Sequence, residues 1–470
     1  MFTEELKQRF ITIVGEKNFQ DSRTSLLTYS YDATPGFQSF PDAILSPRNT
    51  EEVSNIVKLC NEHNIPITPR GSGTNLSAGT TPLHGGIVIL MKHFDKILEI
   101  DEENLTVRTQ PGVITKTLIE AVESKGFFYP PDPSSMKISQ IGGNINENSG
   151  GLRGLKYGVT RDYVMGLEIV LPNGEIIRTG GKLAKDVAGY DLTSLFVGSE
   201  GTLGIVTEAT LKLIPKPETK KTMLALYQDL DAAARSVSAI IANRIIPATL
   251  EFLDQPTLKA VEDFAQIGLP TNVKAVLLIE QDGSEREVDQ DMENITKICR
   301  NNKAVEVKLA CSSEEAAALT TARRSALSAL ARLRPTTILE DATVPRSEIA
   351  KMVSAIQQIA KRYDVNICTF GHAGDGNLHP TCLTDIRNEE EMKRVEKAFE
   401  EIFVKAIELG GTITGEHGVG AMKLPYLHLK VGEAGIEVMR NIKEAIDPND
   451  IMNPGKIFAK SDRKRVVVHK

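Results

Sequence analysis

Apolar and polar positions follow two rhythms along this chain, and the change of rhythm divides it. Across residues 42–69 the pattern predicts strand, helix, strand. Ala43-Ile44-Leu45 comes first, then a helix with Val53, Ile56, Val57 and Cys60 on one face, then Ile65-Pro66-Ile67-Thr68. Residues 164–171 predict a strand that turns at Pro172-Asn173-Gly174 into a second strand, a hairpin, and a β-like run ends at Leu213. Between these, glycine and proline punctuate the chain at Pro130-Pro131-Asp132-Pro133, Ile141-Gly142-Gly143-Asn144 and Asn148-Ser149-Gly150-Gly151. Loops of this kind, expected to be neither helical nor disordered, suit a long ligand lying across backbone amides.

Residues 212–222 hold two prolines and several lysines and read as a linker. Beyond it, strands at 223–227, 248–253, 273–281 and 304–309 alternate with helices at 230–243 and 285–301. That is βαββαβ, the ferredoxin-like order. Helices are expected at 312–333, 346–363, 388–409 and 435–445. Two X-Pro turns, at Pro448 and Pro454, predict that the last segment docks on the rest of the molecule.

With 470 residues the chain needs two or three domains, and 41% hydrophobic with 25% charged residues is a soluble, globular composition. A net charge of -7 argues against nucleic-acid binding. The five cysteines form no CxxC, which argues against iron–sulfur ligation and fits a reducing, cytoplasmic setting. No apolar run approaches the ~20 residues of a membrane span. The basic tail at 460–470 reads as a solvated end.

Candidate chemistry sits in three places. Arg70-Gly71-Ser72-Gly73-Thr74-Asn75-Leu76-Ser77 exposes consecutive N–H groups, a cradle for a pyrophosphate. It fails the dinucleotide fingerprint, because Leu76 stands at the third glycine position and no amphipathic helix follows. The other two places are Gly371-His372-Ala373-Gly374-Asp375-Gly376-Asn377-Leu378-His379 and Gly415-Glu416-His417-Gly418-Val419-Gly420. Strands around 373–376 that pair His372 with Asn377 put His379 on the same face, diagonal to His372 at ~7–8 Å. Glycines around Glu416 and His417 free both from strict strand alternation. Two histidines and one carboxylate suit a divalent ion such as Zn, Mn or Fe, with His417 left free as a base.

These segments, with Gly198-Ser199-Glu200-Gly201-Thr202-Leu203-Gly204 and Asn453-Pro454-Gly455-Lys456, occur in the order of a known family. The chain resembles FAD-linked oxidases of the vanillyl-alcohol oxidase superfamily, in the branch of the glycolate oxidase catalytic subunit, D-lactate dehydrogenases and D-2-hydroxyglutarate dehydrogenase. The resemblance implies an α+β fold. A bipartite FAD domain, residues 1–217 with 425–470 returning to it, encloses a ferredoxin-like cap, residues 218–424, that carries the metal. It implies that Arg70 to Asn75 and Ser77 hold the pyrophosphate. Pro131, Ser134, Gly142, Gly143, Asn148, Ser149, Gly201 and Ile205 would line FAD, and Asn453 would approach its ring system. Thr74 stands where relatives attach flavin covalently, so FAD is expected to be non-covalent. The resemblance places the metal on His372, His379 and Glu416, the base on His417, and a substrate-carboxylate arginine at Arg323. Leu339 and Glu340 replace a lysine of the hydroxyglutarate branch, which favours a small monocarboxylate.

The implied activity is oxidation of a small 2-hydroxy acid, of glycolate or D-lactate type, to the 2-oxo acid, with the hydride passing to flavin. Two alternatives are a metal-independent flavin enzyme resembling alkyl-glycerone-phosphate synthase and a non-catalytic electron-relay subunit. The electron acceptor is expected to be external: an iron–sulfur subunit, an electron-transfer flavoprotein, quinone or oxygen. An oligomer is expected.

Overall fold

The predicted strand–helix–strand at the N-terminal end builds the first sheet. In this computed structural model, which describes residues 3–458, strands Ala43–Leu45, Ile87–Leu90 and Ile67–Arg70 pair in parallel, with Phe19–Gln20 antiparallel at one edge. The helix Thr50–Glu62 is capped by the Asn49 side chain, which accepts from Glu52 N–H, and buries Val53, Ile56, Val57 and Cys60. The other edge is closed from the C-terminal end: Ile67 N–H donates to Ile451 O, and Asn453 N–H donates to Ile67 O. The X-Pro segment therefore docks. The basic tail lies outside the described residues.

A second, antiparallel sheet has the order Ile97–Asp101, Thr106–Thr109, Ile205–Lys212, Val164–Val170, Ile176–Gly180. Its last two strands form the predicted hairpin, with Val170 opposite Ile176. Two expectations fail here. The glycine-rich Ile141-Gly142-Gly143-Asn144 is not a loop; it opens the helix Ile141–Glu147. Burial overrides propensity at this point: Ile141 and Ile145 are core residues, and a Cβ on Gly142 would stand 2.5 Å from Pro111 Cβ. The lysine–proline stretch at 212–222 is not a free linker either. Ile214–Pro215 pairs with Phe127–Phe128, and the strand Thr219–Tyr227 begins within it. Lys220 reads as linker composition but serves as a cross-strand partner, its Nζ lying 3.1 Å from Glu280 Oε2.

The third sheet begins as the pattern predicts. Strands Glu306–Leu309, Thr219–Tyr227, Ala275–Gly283 and Thr249–Asp254 lie side by side in that order, the ferredoxin-like arrangement. It then continues beyond that arrangement through Ile367–His372, Asn377–Thr384 and Thr336–Leu339. Helices Leu230–Ala242, Glu285–Asn301, Ile349–Tyr363 and Glu389–Glu408 bury apolar stripes in the largest core. The helix Gln255–Ala265, capped by Asp254, has no counterpart in the sequence reading, and the expected helix at 312–333 is divided at Ser325. No helix of the described residues is long and apolar enough to cross a membrane.

Candidate active site

The hairpin that carries the first glycine-rich segment has the predicted register. His372 pairs with Asn377 and Phe370 with His379, so both imidazoles lie on one face with ring centroids 5.0 Å apart. The second segment is brought against this face by a bridge between Thr343 and Thr412. Gly415 has to be glycine, since a Cβ there would collide with Thr343 Oγ1 and stand 2.9 Å from the Asn377 side chain.

Glu416 Oε1 then lies 3.3 Å from His372 Nε2 and 3.2 Å from His379 Nε2. The three ligand atoms all fall within 4.8 Å of one another. Ligand atoms about 2.1 Å from one ion stand roughly 3.0–3.4 Å apart at octahedral to tetrahedral angles, so this donor set fits a divalent ion. Its charges are balanced within the set and by Glu251 behind it. Burial opposes ionisation of Glu416, but His372 and His379 outweigh it and hold the carboxyl well below the usual range. Burial likewise opposes a charged His372, yet Glu251 and Glu416 together raise it well above its ordinary value.

Glu251 was not singled out in the sequence. It lies on Thr249–Asp254, the strand beside Ile367–His372, and is fully buried. One of its oxygens is 2.8 Å from His372 Nδ1 and the other 2.5 Å from Arg323 Nη2. A carboxylate on the far nitrogen of a ligand histidine fixes its tautomer and ring orientation. The Arg323 guanidinium also packs over the Phe370 ring at 4.8 Å.

His417 stacks on His379 with ring centroids 5.2 Å apart, its Nδ1 3.5 Å from Asp341 Oδ1. Burial lowers its pKa to about 4, against the pull of Asp341, so the ring is neutral at neutral pH. Asp341 was also missed, and it shapes the whole turn. Its Oδ2 accepts from the N–H groups of Gly415, Glu416 and His417, and its other oxygen meets Lys423 Nζ. Glu340 points the same way, 3.3 Å from Lys423 Nζ, while Leu339 faces the site.

All of this opens on a cavity of about 820 Å³. Arg323, Leu339, Phe370, His379, Glu416 and His417 line one end, and His372 stands behind them. The remainder is walled by Arg70, Gly71, Ser72, Gly73, Thr74 and Asn75, by Ser134, Gly142, Gly143 and Ser149, and by Gly201 and Ile205. A Cβ on Gly143 would meet nothing within 4 Å, which leaves backbone open to a ligand. Four expected lining residues are not in the wall. Pro131 is buried behind it, and Ser77 offers its carbonyl to Ala421 and Met422 N–H. Asn148 is the left-handed cap of Ile141–Glu147 and accepts from Arg161 N–H. Asn453 ties Gly79 O and Glu200 O together through Nδ2, at 2.8 and 2.7 Å, so it braces the wall from outside. Arg324 does line the cavity, but Asp132 holds it through both its carboxylate and its carbonyl.

Known proteins carry the same two parts. A family model of FAD linked oxidases, C-terminal domain, matches residues 216–457, and one of an FAD binding domain matches residues 41–180. The chain therefore belongs to the FAD-linked oxidases, and it is an FAD-binding oxidoreductase. It is 70% identical to glycolate oxidase subunit GlcD of Bacillus subtilis, over 100% of both chains. It is 37% identical to a D-lactate dehydrogenase of Anaerostipes hadrus, over 89% of this chain and 90% of that one. Its fold matches that of p-cresol methylhydroxylase with a TM-score of 0.80 at 20% identity, over 96% of each chain. The α+β, vanillyl-alcohol-oxidase-type architecture is thus established.

Proposed function

We propose that this chain oxidises a small 2-hydroxy monocarboxylate, of glycolate or D-lactate type, to the 2-oxo acid. The observation that carries the reading is the shared cavity: cofactor-binding loops at one end, a buried arginine, a neutral histidine and a metal-type donor set at the other. The names of the two relatives, a glycolate oxidase subunit and a D-lactate dehydrogenase, support the substrate class.

Each residue has a task in this reaction. Arg323, braced by Glu251 and Phe370, anchors the substrate carboxylate. Leu339 presents an apolar wall, which suits a substrate with one carboxylate and leaves a second one unpaired. His417, uncharged and 10% exposed at its side chain, accepts the substrate hydroxyl proton. His372, His379 and Glu416 would hold a divalent ion, which lowers the pKa of a bound hydroxyl. Bound FAD supplies the hydride acceptor. Electrons then leave to an external acceptor, an iron–sulfur subunit or an electron-transfer flavoprotein among the candidates, and the relative's designation as a subunit supports such an assembly.

The test is rapid mixing of the FAD-loaded protein with glycolate, D-lactate, L-lactate and D-2-hydroxyglutarate, before and after chelation. Flavin bleaching by a monocarboxylate and its loss on chelation are expected. Bleaching that survives complete metal removal would leave the histidines working without an ion. Bleaching by the dicarboxylate alone would sink the assignment of Leu339.

A further inference from the structure

We infer that Glu147 is a further cofactor-site residue, a carboxylic acid that donates a hydrogen bond to the flavin ring system and raises its reduction potential. Glu147 ends the helix Ile141–Glu147 and lines the cavity, although no step of the reaction above uses it. Its carboxyl is wedged between the cofactor loop and the Gly415–Gly420 turn. A Cβ on Gly79 would stand 2.8 Å from Glu147 Oε1. A Cβ on Gly418 would collide with Glu147 Oε2 and stand 3.0 Å from Glu200 Oε1. Two carboxyl groups thus converge on one point at Gly418, next to His417 in the same turn.

The two acids are not equivalent. Glu200 accepts from Val419 N–H at 2.7 Å and from Gly420 N–H at 2.6 Å, bonds that favour its ionised form. Asp32, the next acid, is satisfied by Thr34 N–H and by Thr80 and Thr81. Glu147 Oε2 has no hydrogen-bond partner. Two carboxylates sharing a buried site cannot both ionise cheaply, and the proton goes to the member with least support. Burial first, then Glu200 and Asp32, push Glu147 well above the usual carboxyl range, and Lys456 and Lys423 oppose without reversing it. Glu147 lines the cavity, and a carboxyl that keeps its proton there has an O–H that needs an acceptor. A flavin ring gains negative charge on reduction. A donor fixed against its acceptor atoms stabilises the reduced form more than the oxidised form.

The inference rests on the flavin's reacting end facing His417, as the proposed reaction has it. The measurement that tests it needs no substrate. The potential of the FAD-loaded protein is titrated against redox dyes for wild type, Glu147→Gln and Glu147→Leu, with FAD affinity measured alongside. Glutamine keeps an N–H donor at the same place, so its potential should stay near that of wild type. Leucine removes the donor; its potential should fall and its Kd for FAD rise about tenfold. Redox-difference infrared spectra of wild type should show a protonated-carboxyl carbonyl band that shifts on flavin reduction and is missing in Glu147→Gln. A leucine variant with the wild-type potential, as expected if the O–H rests on Glu200 alone, would overturn the inference. So would the absence of that band, a readout that does not depend on the leucine variant folding. Failure here leaves substrate bleaching untouched, and failure of the substrate screen leaves the potentials measurable.

Discussion

The histidines at 372, 379 and 417 differ in what stands on the far side of each ring, and that decides their separate roles. His372 Nδ1 is hydrogen-bonded to Glu251, whereas neither His379 Nδ1 nor His417 Nδ1 has a hydrogen-bond partner, Asp341 Oδ1 lying 3.5 Å from the latter. The Glu251 bond holds His372 in one tautomer with Nε2 toward Glu416, while His417 keeps a neutral ring at the cavity. His417→Ala should therefore cost roughly 10²–10⁴ in turnover with FAD still bound, as read from flavin absorbance and steady-state rates. Wild-type turnover in that variant would remove His417 from the mechanism. Glu251→Gln should act on both sides of its carboxylate. Metal affinity should fall about 10–100-fold, and KM should rise more than kcat falls, because Arg323 loses the anion that braces it. Metal content by chelator competition, set beside a KM–kcat split, separates this from simple loss of packing. The histidines were legible in the sequence because glycine-rich segments advertise them. Glu251 was not, because it sits in the apolar strand Thr249–Asp254, 121 residues before its partner. A charged residue inside such a run was the available signal.

At the scale of elements, the sequence was readable wherever local periodicity and tertiary need agreed. The hairpin at 367–384 has its predicted register because its two strands are neighbours in sequence and its turn is rich in glycine. The first four strands of the third sheet, although separated by helices, keep the predicted ferredoxin-like order. Agreement ends where an element exists only because something distant covers it. The helix Ile141–Glu147 has two glycines and no side-chain cap, so its stability comes from packing. The second glycine-rich segment has no regular structure of its own; three of its N–H groups are collected by Asp341, some 75 residues earlier. The C-terminal strap is similar. Its sequence announced docking, but its target, the edge strand Ile67–Arg70, was not deducible locally. Asn453 closes that strap by bonding two carbonyls from different loops. Asn453→Ala should leave both buried acceptors unpaired and cost about 1–3 kcal/mol, with FAD released more readily. Thermal melts of the apo and FAD-loaded forms check both effects. An apo form as stable as wild type would mean the strap is held by its backbone bonds to Ile67 and by Lys443 and Lys456, without the Asn453 side chain.

The whole molecule is organised around a cavity that no single sheet could enclose, and its outer clasps set how well it closes. Asp132 belongs to the proline-rich segment beside the cofactor loops, while Arg324 ends the helix Ser313–Arg324, which carries Arg323. The Asp132 carboxylate is only 1% exposed, and its other cation, Arg153, lies farther off at 3.6 Å. Removing one partner of a buried pair leaves an uncompensated charge, which costs far more than the pair itself contributes. Arg324→Gln should therefore destabilise the protein by about 3–5 kcal/mol. It should also loosen the position of Arg323 next to it, so KM for the hydroxy acid should rise. Lys221→Ala, which removes an exposed pair with Asp289, is the matched control and should stay within about 0.5 kcal/mol of wild type. Added FAD should recover part of the Arg324→Gln loss, because a ligand that binds only the folded state stabilises it. At 100 times its Kd that recovery is about 2.7 kcal/mol. If Arg324→Gln binds FAD with the wild-type Kd, the cofactor does not depend on this clasp, and the Asp132–Arg324 pair serves stability without serving the site.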